Sequence, residues 1–136
     1  INAGVNSSGI LVKNANSTIN IQNNEIFGSA NGIEIDRGSV SVPVNISGNN
    51  IHSNAFNGIL VQANPVLSIT NNNIENNGLG NVPANGYGIK ATATVSSRVT
   101  LTNNSIVNNQ GQVNAGQSSQ DLSIISKLLD STDSNN

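Results

Sequence analysis

One eight-residue pattern recurs four times along the chain: apolar, any, apolar, any, amide or glycine, asparagine, any, isoleucine. It reads INIQNNEI from Ile19 to Ile26, VNISGNNI from Val44 to Ile51, LSITNNNI from Leu67 to Ile74 and VTLTNNSI from Val99 to Ile106. The opening alternates with a period of two, as in a strand with one buried face. Ile19 and Ile21, Val44 and Ile46, Leu67 and Ile69, and Val99 and Leu101 are therefore expected to point inward. The pair that follows is Asn23 and Asn24, Gly48 and Asn49, Asn71 and Asn72, or Asn103 and Asn104. Such pairs suit a two-residue corner, because Asn and Gly tolerate left-handed backbone. Ile26, Ile51, Ile74 and Ile106 then re-enter the core on a short third strand.

A second motif alternates with the first: SGILV at Ser8, NGIEI at Asn31, NGILV at Asn57 and YGIKA at Tyr87. It supplies the remaining strand, with Ile10 and Val12, Ile33 and Ile35, Ile59 and Val61, and Ile89 and Ala91 inward. The joint period of roughly 23 to 32 residues lies in the range of stacked repeats. The predicted fold is all-β, a single-stranded parallel β-helix of about four coils with three short strands per coil. Its coils start near residues 8, 31, 57 and 87, and the solenoid occupies residues 1–118, with Ile1 to Ser7 as the remnant of an earlier coil. Stacked in this way, Asn24, Asn49, Asn72 and Asn104 form a ladder of side-chain amides at a spacing of about 4.8 Å.

After Asp121 the periodicity becomes helical, with Leu122, Ile125 and Leu129 on one face and Ile124 and Leu128 beside it. Ser119 or Asp121 can cap its start. A C-terminal capping α-helix over 119–130 is expected to lie across the last coil as a stopper against edge-to-edge growth. A partner-binding helix is the alternative. Residues 131–136 are expected to be a disordered tail.

Composition narrows the partners. Aromatic residues make up 2% and charged residues 9% of the 136 positions, while 28 are asparagine. The regular aliphatic spacing separates this chain from a disordered Asn-rich tract. A net charge of −2 with five Lys and Arg offers no footprint for a nucleic-acid backbone or an anionic membrane surface. No run is long enough for membrane insertion. Cysteine is absent, so no disulfide or thiolate metal site is available. Methionine is absent even at position 1, so the chain is expected to be a piece of a larger protein.

The two alternating motifs resemble the right-handed parallel β-helix repeat of the pectate-lyase-like superfamily, over about Ser8 to Gly116. That resemblance implies a right-handed coil in which the glycine-motif strand is the first and the asparagine corner joins the second strand to the third. It also implies that chemistry, if present, sits on the outward positions of the first strand. These are Leu11 and Lys13, Glu34 and Asp36, Leu60 and Gln62, and Lys90 and Thr92. On this reading Glu34 and Asp36 would ligate Ca2+, and Lys13, Asp36 and Lys90 are the catalytic candidates, with Arg37 nearby for substrate. A carboxylate-held cation acidifies a uronate α-proton and a basic side chain accepts it. The plain alternative is that Lys13 and Asp36 pair as surface neighbours, worth about 0 to 1 kcal/mol.

Three further features are candidates for substrate contact. Counting from the buried isoleucine of the third strand places Phe27, His52, Glu75 and Val107 in one column, with His52 and Glu75 about 5 Å apart on adjacent coils. A surface pair is the simpler account of them. The longest insertion, Asn76 to Tyr87, carries the only tyrosine, and Tyr87 either contacts sugar or covers the base of its loop. The outward residues of the second strand, Asn20 and Gln22, Asn45 and Ser47, Ser68 and Thr70, and Thr100 and Thr102, form a hydroxyl and amide face that suits carbohydrate or even ice.

The expected function is a non-catalytic structural or carbohydrate-contacting β-helix segment of a secreted or cell-surface bacterial protein. It needs no cofactor, and its partners are a polysaccharide or glycan and the remainder of the parent protein. Four coils extend only about 20 Å, short for a polymer-cleaving groove. The alternative is a fragment of a polysaccharide lyase or uronate epimerase acting on acidic polysaccharide.

Overall fold

A computed structural model of the protein describes residues 1–36, 42–63, 65–78, 86–91, 99–114 and 132–133. The strands are three to five residues long through most of the chain, and every pairing between them is parallel. The first coil carries β1 (Ile10–Val12), β2 (Ile19–Gln22) and β3 (Glu25–Phe27), and the second β4 (Ile33–Ile35), β5 (Pro43–Ser47) and β6 (Asn50–His52). The third carries β7 (Ile59–Val61), β8 (Val66–Thr70) and β9 (Asn73–Glu75), and the fourth β10 (Tyr87–Ala91), β11 (Val99–Thr102) and β12 (Ser105–Val107). Two more strands follow, β13 (Gly111–Asn114) and β14 (Thr132–Asp133). They stack into three sheets, ordered β1-β4-β7-β10-β13, β2-β5-β8-β11 and β3-β6-β9-β12-β14.

The register is the one the aliphatic pattern requires. Ile10 lies beside Ile33, Ile33 beside Ile59, and Ile59 beside Ile89. Ile21, Ile46, Ile69 and Leu101 form a second column, and Ile26, Ile51, Ile74 and Ile106 a third. Ile26, Ile46, Ile51, Ile69, Ile74 and Ile106 have no solvent exposure. Each such side chain contributes roughly 1.5–3 kcal/mol by leaving water, a gain available only because a neighbouring coil covers it.

The corners follow one rule at two places. Between the second and third strands, Asn23, Gly48, Asn71 and Asn103 take positive φ of 55° to 66°, and the next residue turns its amide inward. Asn49 Oδ1 accepts from the backbone N–H of Asn24 at 2.9 Å and from its Nδ2 at 3.1 Å, and Asn72 and Asn104 repeat this toward the coil before them. This is the expected ladder. A second ladder, not foreseen, runs after the third strand. There Gly28, Ser53, Asn76 and Asn108 take the positive φ, and buried Ser29, Asn54, Asn77 and Asn109 follow. Asn77 Oδ1 accepts from Asn54 N–H at 3.1 Å and Nδ2 at 2.9 Å, and Asn109 Oδ1 accepts likewise from Asn77 at 2.9 Å for both.

The ends extend further than the motifs indicated. β13 adds a fifth strand to the first sheet, pairing Ile89 with Val113. Ile1 hydrogen-bonds to Glu25 C=O and accepts from Phe27 N–H at 3.0 Å, which sets it beside Ile26 in the parallel register of an earlier coil. Thr132 and Asp133, expected in a disordered tail, instead run beside Ser105 and Ile106, where the edge of β12 leaves backbone groups to be paired. The helix expected over 119–130 lies outside the described residues.

Candidate functional site

The outward face of the first sheet holds most of the candidate chemistry, and the strand register places it. Leu11, Glu34, Leu60 and Lys90 stand in one column across β1, β4, β7 and β10. Lys13 and Asp36 follow the ends of β1 and β4, and their Nζ and Oδ2 lie 3.3 Å apart with side chains 57% and 25% exposed. An ion pair this open to solvent contributes about 0 to 1 kcal/mol. Glu34 is engaged locally: its carboxylate accepts from the Ser8 hydroxyl and from Asn31 Nδ2 at 3.3 Å. Ser8 and Asn31 are partners that motif reading passed over, although both directly precede the motif glycine.

The basic residues do not converge on these acids. Lys90 is two coils from Glu34, about 10 Å along the stack, with nearly buried Leu60 between them. Its ammonium lies 5.5 Å from the centre of the Tyr87 ring, a cation–π contact within its own strand. The proposed constellation of Glu34, Asp36, Lys13 and Lys90 is therefore divided into a Lys13–Asp36 pair, a hydrogen-bonded Glu34 and a Lys90–Tyr87 pair. Arg37, Thr92 and the loop residues 79–85 lie outside the described residues. Among the described residues, no group of three or more His, Asp or Glu side chains comes together in a way that could hold a metal ion.

Tyr87 opens β10, as the YGIKA motif predicts. Its backbone N–H donates to Asn57 Oδ1 at 3.1 Å, and Asn57 Nδ2 donates to Asn31 Oδ1 at 2.8 Å. Tyr87 thus occupies the fourth place in a line begun by Ser8, Asn31 and Asn57, one residue before each glycine.

On the third sheet, the column Phe27, His52, Glu75 and Val107 is present as counted. The expected His52–Glu75 contact is not. The imidazole stacks on Phe27, with centroids 5.4 Å apart and planes 5° from parallel, and its Nε2 lies 3.4 Å from Glu25 Oε1. Glu75 accepts from Asn73 Nδ2 at 3.0 Å within its own strand. Register fixes backbone neighbours, but the apolar face of Phe27 and the diagonal carboxylate of Glu25 decide which way the ring turns.

The outward face of the second sheet is different in kind. Asn20, Asn45, Ser68 and Thr100 form one row across β2, β5, β8 and β11, and Gln22, Ser47, Thr70 and Thr102 form a parallel row. All are exposed or half-buried, and no charged residue stands among them. One direct bond, Asn45 Nδ2 to Asn20 Oδ1 at 2.8 Å, links neighbours along the first row.

No curated protein and no solved structure matches the chain. The family model described as the right handed beta helix region does match, over residues 8–131. With parallel strands stacked in three sheets and a match across most of its length, the chain belongs to the right-handed β-helix family.

Proposed function

We propose that this chain is a non-catalytic β-helix segment of a secreted or cell-surface bacterial protein, and that it contacts neutral glycan through the outward face of its second sheet. The observation that carries the reading is the pair of uncharged hydroxyl and amide rows on β2, β5, β8 and β11. Every group there both donates and accepts, as sugar hydroxyls do, so the face can exchange its water contacts for sugar contacts with little desolvation of charge. The rows repeat at the coil spacing of about 4.8 Å, so a polymer laid across the strands meets equivalent groups coil after coil. Among the described residues of the first sheet, by contrast, Lys13 is engaged with Asp36, Glu34 with the Asn31 amide and Lys90 with the Tyr87 ring.

Affinity electrophoresis through gels containing neutral polysaccharides or polyuronates tests the proposal. Retardation by a neutral polymer is expected, lost in Ser68→Arg with Thr70→Arg and kept in Lys13→Ala. Release of an unsaturated uronate product in the presence of calcium, abolished by Asp36→Ala, would overturn it in favour of a lyase.

A further inference from the structure

The first coil presents a surface that every later coil keeps covered. Ile10, Leu11, Val12, Ile19, Ile21 and Asn24 line a groove of about 520 Å³ at this end of the stack. Ile10 N–H donates to Gly32 C=O and Val12 C=O accepts from Asp36 N–H, both at 3.0 Å. By the alternation of a strand, the N–H and C=O of Leu11 face away from the stack, where the described residues offer no partner. The asparagine ladder is open at the same end. Asn49, Asn72 and Asn104 each receive two hydrogen bonds on Oδ1, whereas nothing among the described residues donates to Asn24 Oδ1.

The third sheet is already covered here. Ile1 stands beside Ile26 in the register by which Ile26 stands beside Ile51, and Ala3 N–H donates to Ser29 Oγ at 3.0 Å at the head of the second ladder. What is open is the place of a first strand, a second strand and an asparagine corner.

We propose that this groove is a docking surface whose occupant is one more coil of the same repeat, entering Ile1 from its N-terminal side. The argument is continuity: the equivalent surfaces of the second, third and fourth coils are each covered by the coil before them, in one register and with the same ladder bonds. The occupant carries aliphatic residues at alternate positions over β1 and β2. It places at its corner a residue whose backbone N–H and side-chain amide both reach Asn24 Oδ1.

The test extends the intact 136-residue chain by fusing the sequence of Ser8 to Glu25 directly before Ile1. That spacing puts the added corner asparagine over Asn24. Amide hydrogen exchange at Leu11 and along β2 is expected to slow by about tenfold or more, with a higher Tm. A control extension with Asp at its two second-strand isoleucines leaves both unchanged. The exchange pattern of β5 and β8 reports that the host remains folded in either variant. Unchanged exchange at Leu11 in the extended protein, equal protection by the control, or self-association of the unextended chain through β1 and β2 would each overturn the proposal.

Discussion

Asn72 Oδ1 lies 2.9 Å from the backbone nitrogen of Asn49 and 3.0 Å from its Nδ2, so one buried carbonyl oxygen holds two donors of the coil before it. The same residue returns its own Nδ2 to Ile46 C=O at 3.0 Å. Asn72→Ala strands all of these groups in a site only 2% exposed. We expect a loss of about 2–4 kcal/mol in denaturant unfolding, since each orphaned buried polar group costs roughly 1–3 kcal/mol. Asn20→Ala, on the exposed face, should stay within about 0.5 kcal/mol. Equal effects at the two positions would mean that the ladder contributes nothing beyond corner geometry.

The second ladder predicts a graded series. At its head Ser29 takes the asparagine position, and its hydroxyl accepts from Ala3 N–H while donating to Phe27 C=O at 3.3 Å. A hydroxyl can therefore replace the accepting half of the amide. Asn54→Ser should cost about 1 kcal/mol and Asn54→Ala about 2 kcal/mol or more. The reverse order in thermal or urea unfolding would contradict this account.

How far the fold was legible depends on which residues carried a private signal. Asn24, Asn49, Asn72 and Asn104 were readable because each ends a period-two strand. Ser29, Asn54, Asn77 and Asn109 lie five positions later and were as regular, but one is serine and the residues before them vary from Gly28 to Ser53 to Asn76. Among 28 asparagines that line did not stand out. β13 escaped notice because Gly111 to Asn114 lacks the Gly-Ile pair of earlier coils. For the candidate site the columns were right and the contacts only partly so. Lys13 and Asp36 meet as expected, whereas His52 turns to Phe27 and Glu25. Strand register follows from backbone periodicity; a surface ring's rotamer follows from side chains in its own column and in the adjoining one.

That rotamer predicts where coupling is found. In double-mutant cycles His52 should couple to Glu25 by a few tenths of a kcal/mol, as an exposed pair does, and to Glu75 not at all within error. A larger His52–Glu75 coupling would restore the column as a functional pair.

Gly32 and Gly4 should differ in why they resist substitution. A Cβ on Gly32 would sit 2.5 Å from Gly58 C=O and 2.6 Å from Ile51 Cγ2, in a gap set by the distance between coils. Backbone cannot yield there without breaking the register of β4 on β7. Gly32→Ala should cost about 3 kcal/mol, at the upper end of overpacking effects. A Cβ on Gly4 would meet nothing within 4 Å, and its φ of +82° is the sole obstacle. Gly4→Ala should cost about 1–2 kcal/mol. Comparable losses at both sites would show that coil spacing is softer than the contacts imply.

Three of the four Asn-Gly pairs in the sequence, at Asn31, Asn57 and Asn77, give the fold a chemical readout. Deamidation requires the nitrogen of the glycine to attack the asparagine side-chain carbonyl and close a succinimide ring, with the side-chain nitrogen leaving as ammonia. In the folded chain Gly32, Gly58 and Gly78 donate those N–H groups to Asn57, Tyr87 and Asn54 C=O, each at 2.9 Å. The asparagine side chains are buried as well, with Asn77 fully so. Attack would break a bond to the next or preceding coil and rotate a side chain out of its line. All three sites should therefore stay intact during long incubation at mildly alkaline pH and convert readily once the chain is unfolded in urea. Peptide mapping by mass spectrometry reads this directly. Asn72→Ala should raise deamidation at Asn77 more than at Asn31, because the lost ladder bonds loosen the third coil, which contains Asn77 itself. Equal rates at all sites in folded and unfolded protein would mean that the coils open far more often than their hydrogen bonding allows.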